Sequence, residues 1–137
     1  MRRSNGSESG LTLIEMMVVV AIMALVASLV GVSVWRLYRE AQVRAAGIQV
    51  ARLADGVESY RFIAGEYPSE AEGLDALMVS LHGQEPILDS VPRDPWSLDY
   101  DYTKPGKVRN HGFDISSFGP DKTEGTDDDI GTWNSRR

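Results

Sequence analysis

The chain has 137 residues, a formal net charge of −6, two histidines and no cysteine. That length allows one domain with a small core and leaves little room for a large enzyme pocket. The acidic balance argues against nucleic acid as a partner, because phosphates select Lys and Arg. The lack of cysteine excludes any disulfide that could fasten an irregular segment.

In chain order, a short polar leader, Met1 to Gly10, precedes Leu11-Thr12-Leu13-Ile14-Glu15, and the chain is then free of charge from Met16 through Trp35. As a helix rising ~1.5 Å per residue, that twenty-residue run is about 30 Å long, the thickness of a bilayer's hydrocarbon core. A carboxylate at the head of such a run is costly, so Glu15 needs a partner or a function. A secretory signal or a plain signal anchor is also compatible with a basic start and an apolar core. Against the signal, no small-x-small cleavage site follows promptly and the apolar run is long. The block from Gly10 to Glu15, followed by an apolar helix, resembles the processing site of the type IV pilin and pseudopilin family. The resemblance implies cleavage after Gly10 by a membrane-embedded prepilin peptidase, N-methylation of the new first residue Leu11, and an assembly role for Glu15. The family usually carries phenylalanine where this chain has Leu11. Arg2 and Arg3 on one side, and Arg36, Arg39 and Arg44 on the other, leave orientation open by charge counting. The resemblance implies a cytoplasmic leader, a single inner-membrane pass and a periplasmic remainder.

The helix is predicted to continue past the apolar run. Val43, Ala46, Val50, Leu53, Val57 and Tyr60 recur at three- and four-residue spacing as one apolar stripe. Arg44, Arg52, Asp55, Glu58 and Arg61 fall off it, and Glu58 and Arg61 are one turn apart, able to pair. Gly47 and Gly56 are tolerable interruptions, although a break into two helices near Gly47 is an alternative. Ala64-Gly65-Glu66-Tyr67-Pro68 ends the helix. Ser69 stands three residues before Glu72, a capping-box spacing, and Leu74, Leu77, Met78 and Leu81 predict a short helix ending near His82-Gly83. Residues 84–95 read as loop, with Pro86, Pro92 and Pro95. Leu98 to Tyr102 alternates with period two, as a half-buried strand should. Pro105-Gly106 reads as a turn, with returning strands over Lys107 to His111 and Phe113 to Ser117.

The C-terminal segment is acidic and rich in Gly, Ser and Thr. From Asp114 to Asp129 it holds six carboxylates and one lysine. Hard oxygen donors on a flexible backbone suit calcium, which takes six to eight oxygens. It is not an EF-hand, because Thr126 and Thr132 stand where that loop needs glycine and a bidentate glutamate. A solvated acidic loop is the other reading of the same composition. Ile130 and Trp133 beside Asp127, Asp128 and Asp129 favour a cation, which would neutralise carboxylates packed against apolar side chains.

Tyr67-Pro68, Glu72-Gly73-Leu74-Asp75-Ala76-Leu77, Asp94-Pro95-Trp96, Phe113-Asp114-Ile115 and the run Gly125 to Trp133 are together similar to the major pseudopilins of the bacterial type II secretion system. That resemblance covers nearly the whole chain after the leader. It implies calcium in the C-terminal loop, with Asp121, Asp127 and Asp129 as first side-chain ligands, Asp128 as a weaker fourth, and the Phe118 and Thr123 carbonyls and Ser117 hydroxyl completing the set. It also implies partners: other copies of the chain in a helical homopolymer, minor pseudopilins, the prepilin peptidase and an inner-membrane secretion platform.

Several residues carry no such reading. His82 and His111 stand alone, Ser116 and Ser117 lack a nucleophile-elbow context, and no glycine-rich phosphate loop occurs. Asp94-Pro95-Trp96 reads as a core tryptophan fixed by a turn, and the pair Asp99 and Asp101 lacks an acid/base partner. The expected fold is α+β: a cleaved leader over 1–10, a transmembrane half of the long helix over 11–35, and a globular domain over 36–137. In that domain the amphipathic half of the helix packs on a short helix and a small antiparallel sheet, with an irregular metal-binding loop at the C-terminal end. The expected function is structural: a subunit polymerising into a periplasmic pseudopilus, with no catalysis. A type IV pilin, a minor pseudopilin and a non-polymerising membrane-anchored calcium-binding protein are the alternatives.

Overall fold

The computed structural model describes residues 10–108 and 112–134, without the side chains of 29–33. The leader up to Ser9, and Arg109 to His111 of one expected strand, lie outside the described residues.

One helix, α1 (Leu13–Ala64), runs unbroken for 52 residues. Gly47 does not interrupt it. It ends where Gly65 takes a φ of +88° and its N–H closes on the Arg61 carbonyl at 2.8 Å, with Pro68 beyond to prevent resumption. The chain divides into two compact units, one reaching Arg39 and one from Glu40 onward. In the first, α1 leaves its apolar side chains exposed: Leu13, Ile14, Met17, Val20, Met23 and Leu25 are all above 60 %. Among the described residues no helix is long and apolar enough to cross a membrane. The expected transmembrane half is therefore not detected, and its stretch 29–33 falls on side chains outside the description.

The second unit holds the core. Val50, Leu53, Val57 and Tyr60 of α1 meet Leu74, Ala76 and Leu77, then Tyr100, Tyr102, Phe113 and Ile115. The apolar stripe thus behaves as predicted from Ala46 onward, whereas Val43 is 43 % exposed and stands outside it. Gly56 lets Leu77 approach, since a Cβ there would lie 3.2 Å from the Leu77 Cδ1.

The Ser69–Glu72 box forms: the Glu72 carboxylate accepts from the Ser69 N–H at 2.9 Å and its hydroxyl at 2.6 Å. The element after it is not the α-helix expected to His82 but a 3-10 helix, Gly73–Met78. Gly73 has a φ of +56°, a left-handed residue that no α-helix continues through. Val79 is already extended.

Three strands make an antiparallel sheet in the order β1 (Asp101–Thr103), β2 (Asp114–Ser117), β3 (Ile130–Gly131). Tyr102 pairs with Ile115, and Ser117 with Ile130. β1 starts three residues later than the alternation suggested, although Tyr100 and Tyr102 are buried and Asp99 is exposed, as period two requires. No strand covers Lys107 and Val108. β3 was not expected, since two residues carry no periodic signal.

Candidate functional site

Three places bear on function. The first is the start of α1. Thr12 is its N-cap, and Glu15 stands at the third helical position. The Glu15 carboxylate accepts from the Thr12 N–H and the Thr12 hydroxyl, both at 2.8 Å, and the Thr12 hydroxyl accepts from the Glu15 N–H at 3.3 Å. This is a capping box. The same Ser/Thr-x-x-Glu spacing that marks Ser69–Glu72 in the sequence stands here at the head of the apolar run, where the periodicity that follows is that of the run and not of a cap. Gly10, Leu11 and Glu15 are all exposed. Among the described residues nothing covers Gly10, Leu11 or the Glu15 carboxylate.

The second place is the acidic segment. Gly119 opens it at a φ of +68°, pressed so close to the Asp128 backbone carbonyl that a Cβ would collide with it. Only glycine fits both demands. Asp121 Oδ1 accepts from the Thr123 N–H at 2.9 Å. Asp128 accepts from the Thr126 hydroxyl at 2.6 Å and the Asp121 N–H at 3.3 Å. The Thr126 hydroxyl holds the Asp128 carboxyl below its ordinary pKa. Asp127 is exposed. Asp129 accepts from the Gly125 N–H at 2.8 Å through Oδ2, while its Oδ1 is buried without a hydrogen-bond partner. Among the described residues no three His, Cys, Asp or Glu side chains converge as a ligand cluster. The structure therefore spreads Asp121, Asp127, Asp128 and Asp129 along the loop and leaves one buried oxygen, Oδ1 of Asp129, without a hydrogen-bond partner. An orphaned carboxylate oxygen in a loop otherwise supplied with hard oxygen donors fits a calcium ligand. Phe118 is half-buried. Trp133 is half-buried, its ring folded over Gly131, and Ile130 is buried.

The third place was not anticipated. Asp94, 5 % exposed, accepts from the Trp96 N–H at 3.0 Å, the Leu98 N–H at 2.7 Å and the Ser117 hydroxyl at 2.6 Å. The turn after Asp94 is thereby fixed, but Trp96 is only half-buried and is not a core residue. Ser117, expected among the cation's ligands, gives its proton to Asp94 and accepts the Gly119 N–H at 3.3 Å. It ties the proline-rich loop to the entry of the acidic segment. Asp114 is likewise buried on β2, accepting from the Val108 N–H at 2.9 Å and the Thr132 hydroxyl at 3.3 Å, so it is a structural carboxylate and not part of the acidic loop's open set. The signal for both was Asp followed by turn residues or closed by a hydroxyl, which composition alone masks in an acidic chain.

Comparison with known proteins places these features. Residues 33–133 match the family described as "Type II secretion system (T2SS), protein G", and residues 5–31 match the prokaryotic N-terminal methylation motif. The type II secretion system core protein G of Pectobacterium carotovorum is 36 % identical over 141 residues, covering 96 % of this chain and 88 % of that one. Its counterpart from Klebsiella michiganensis is 35 % identical over 142 residues, covering 97 % and 96 %. The crystal structure of the major pseudopilin from the type 2 secretion system of enterohaemorrhagic Escherichia coli superposes with a TM-score of 0.58. It is 32 % identical and covers 69 % of this chain and 88 % of that one.

Proposed function

This chain belongs to the type II secretion system protein G family and is a structural pseudopilus subunit of that system, and we propose that it polymerises from the inner membrane into a periplasmic fibre. The prepilin peptidase cuts after Gly10 and frees the amine of Leu11, which is then methylated. Residues 11–35 hold the subunit in the bilayer as a single pass until assembly exchanges lipid for the helices of other subunits. The growing fibre acts in export of folded proteins across the outer membrane, alongside minor pseudopilins and an inner-membrane platform.

The observation that carries this reading is the exposed apolar half of α1 with Glu15 at its head. Among the described residues nothing covers these side chains, and an apolar surface of that size calls for lipid or protein. Glu15 of one subunit neutralises the N-terminal ammonium of its neighbour. Between helices an unpaired carboxylate is expensive, so the pairing sets axial register more sharply than a surface ion pair could.

The acidic segment holds calcium through Asp129, with Asp121 and Asp127 as further side-chain ligands, Asp128 beside them and the Phe118 and Thr123 carbonyls completing the set. When bound, the ion offsets the repulsion of the neighbouring aspartates and holds the segment in one shape. The chain's own contribution is the frame: Gly119, the Asp128 carbonyl and the Ser117–Asp94 bond fix where the loop begins.

The test is fibre formation by the full chain, co-expressed with the assembly components of a type II secretion system. Glu15→Ala should abolish sheared fibres while leaving the thermal unfolding of the membrane-extracted subunit unchanged. Fibres formed at wild-type yield by the variant would remove Glu15 from assembly. A wild-type chain that never forms fibres would favour the non-polymerising calcium-binding alternative.

A further inference from the structure

Asp94 stands outside the acidic segment, yet its bonds end at that segment's entrance. Its Oδ1 accepts from the Trp96 and Leu98 N–H groups at 3.0 and 2.7 Å, which fixes the turn of the proline-rich loop. Its Oδ2 accepts the Ser117 hydroxyl at 2.6 Å, the short separation of a charge-assisted bond. The turn is held through Oδ1, so it does not account for the second oxygen. Asp94 and Ser117 are both buried, and water does not compete for their bond.

A hydroxyl has one proton and can also accept. Ser117 gives its proton to Asp94 and accepts the Gly119 N–H at 3.3 Å. That N–H and the Phe118 carbonyl belong to one trans peptide unit, so they point in opposite directions across a rigid plane. A hydroxyl that holds the N–H therefore also aims the carbonyl. Gly119 presses the next stretch of backbone against the Asp128 carbonyl. In the sheet Ser117 pairs with Ile130, the residue that follows Asp129. The two ends of the acidic segment thus meet at the residue that Asp94 holds.

We propose that Asp94 is a positioning residue for calcium: through the Ser117 hydroxyl it sets the direction of the Phe118 carbonyl, one of the ligands named above. The inference rests on the calcium reading and extends it to a residue outside the segment that holds the ion. Calcium accepts backbone carbonyls as ligands, and a carbonyl already aimed gives up less freedom on binding. Without the carboxylate, the Ser117 proton can turn toward the Gly119 N–H, donor against donor, and the peptide unit is released. Coupling between two sites is reciprocal, so bound calcium in turn steadies the Asp94 turn.

The experiment titrates calcium alone into the detergent-extracted full chain by calorimetry. Asp94→Asn keeps an oxygen for the Trp96 and Leu98 amides but presents an N–H to Ser117 in place of an acceptor. It should weaken calcium binding about tenfold or more, as loss of a partner behind a metal ligand does. Ser117→Ala should weaken it by a similar factor, and the double variant by no more than the larger of the two, because both act along one path. Parent affinity in either variant, or effects that multiply, would overturn the proposal and leave the calcium reading standing. Hydrogen exchange of the parent chain tests the same coupling should a variant fail to fold. Calcium should slow the Trp96 and Leu98 amides more than those of the Gly73–Met78 helix, and equal slowing would overturn the coupling. A parent chain that takes up no calcium would overturn the calcium reading and this inference with it.

Discussion

The two halves of α1 share one backbone and opposite fates. Before Arg39 its described apolar side chains are exposed, with Leu13 at 80 % and Leu25 at 63 %; after Glu40, Val50 and Val57 are fully buried. Hydrophobicity is greater in the half that remains uncovered. Burial here is decided by what the chain offers as a partner: the second half meets Leu77, Tyr102, Phe113 and Ile115, and the first half meets no covering side chain among the described residues. An apolar helix left bare in this way calls for another molecule, which in the proposed function is first lipid and then copies of the chain.

The largest effect should come from breaking that contrast at the bare half. Val19→Asp combined with Val26→Asp, each worth about 2.5–3.5 kcal/mol against insertion near a helix centre, should release the full chain from alkaline-washed membranes, and retention would argue against a membrane half. In the covered half, Leu77→Ala should cost about 2–5 kcal/mol and lower the Tm of the detergent-extracted chain by roughly 10 °C or more. A shift below a few degrees would mean that α1 is not held by this core. The acidic loop should respond more modestly. Calcium at ~100 times its dissociation constant should add about 2.7 kcal/mol, and Asp129→Asn should remove most of that gain while leaving stability in chelator nearly unchanged. Equal curves with calcium and with chelator for the parent chain would leave the loop merely acidic.

The smallest effects concern titration. Burial pushes the Tyr102 hydroxyl up to about 12, where it donates to the Pro68 carbonyl at 2.9 Å. The folded state thus favours the protonated form. Its contribution is complete below pH 10 and is lost as pH rises toward 12, so Tyr102→Phe should flatten the alkaline limb of stability against pH. At the acid end, the Ser69 hydroxyl and N–H hold the Glu72 carboxyl below its ordinary pKa. That contribution is present above about pH 4.5 and fades as pH falls through the lowered folded-state value. Ser69→Ala should lower the Tm by a few degrees at most at pH 7 and by less in acid. An unchanged difference across that range would separate the cap from the titration.

Much of this was legible before any coordinates. The long helix, its buried stripe from Ala46, the Ser69–Glu72 box and the alternation through Tyr100 and Tyr102 all follow from local periodicity and capping chemistry, which adjacent residues encode. The processing block of Gly10 and Glu15 is local too. What escaped was of two kinds. Gly73 takes a left-handed conformation and the expected helix is a 3-10 helix, which periodicity alone does not encode. Asp114 left the acidic set because Thr132, 18 residues away, closes on its carboxylate, and the turn expected at Asp94 gained a partner 23 residues away in Ser117.

The sequence by itself determined the class of this protein, because apolar spacing, one carboxylate at the head of a charge-free run and a glycine five residues before that carboxylate are patterns over neighbouring residues. The tertiary structure alone decided which of its many carboxylates are structural and which oxygen, on Asp129, stays unpaired. It also decided which face of α1 remains open. Those outcomes depend on contacts between residues far apart in the chain, and on the buried volume each contact leaves, neither of which local spacing encodes.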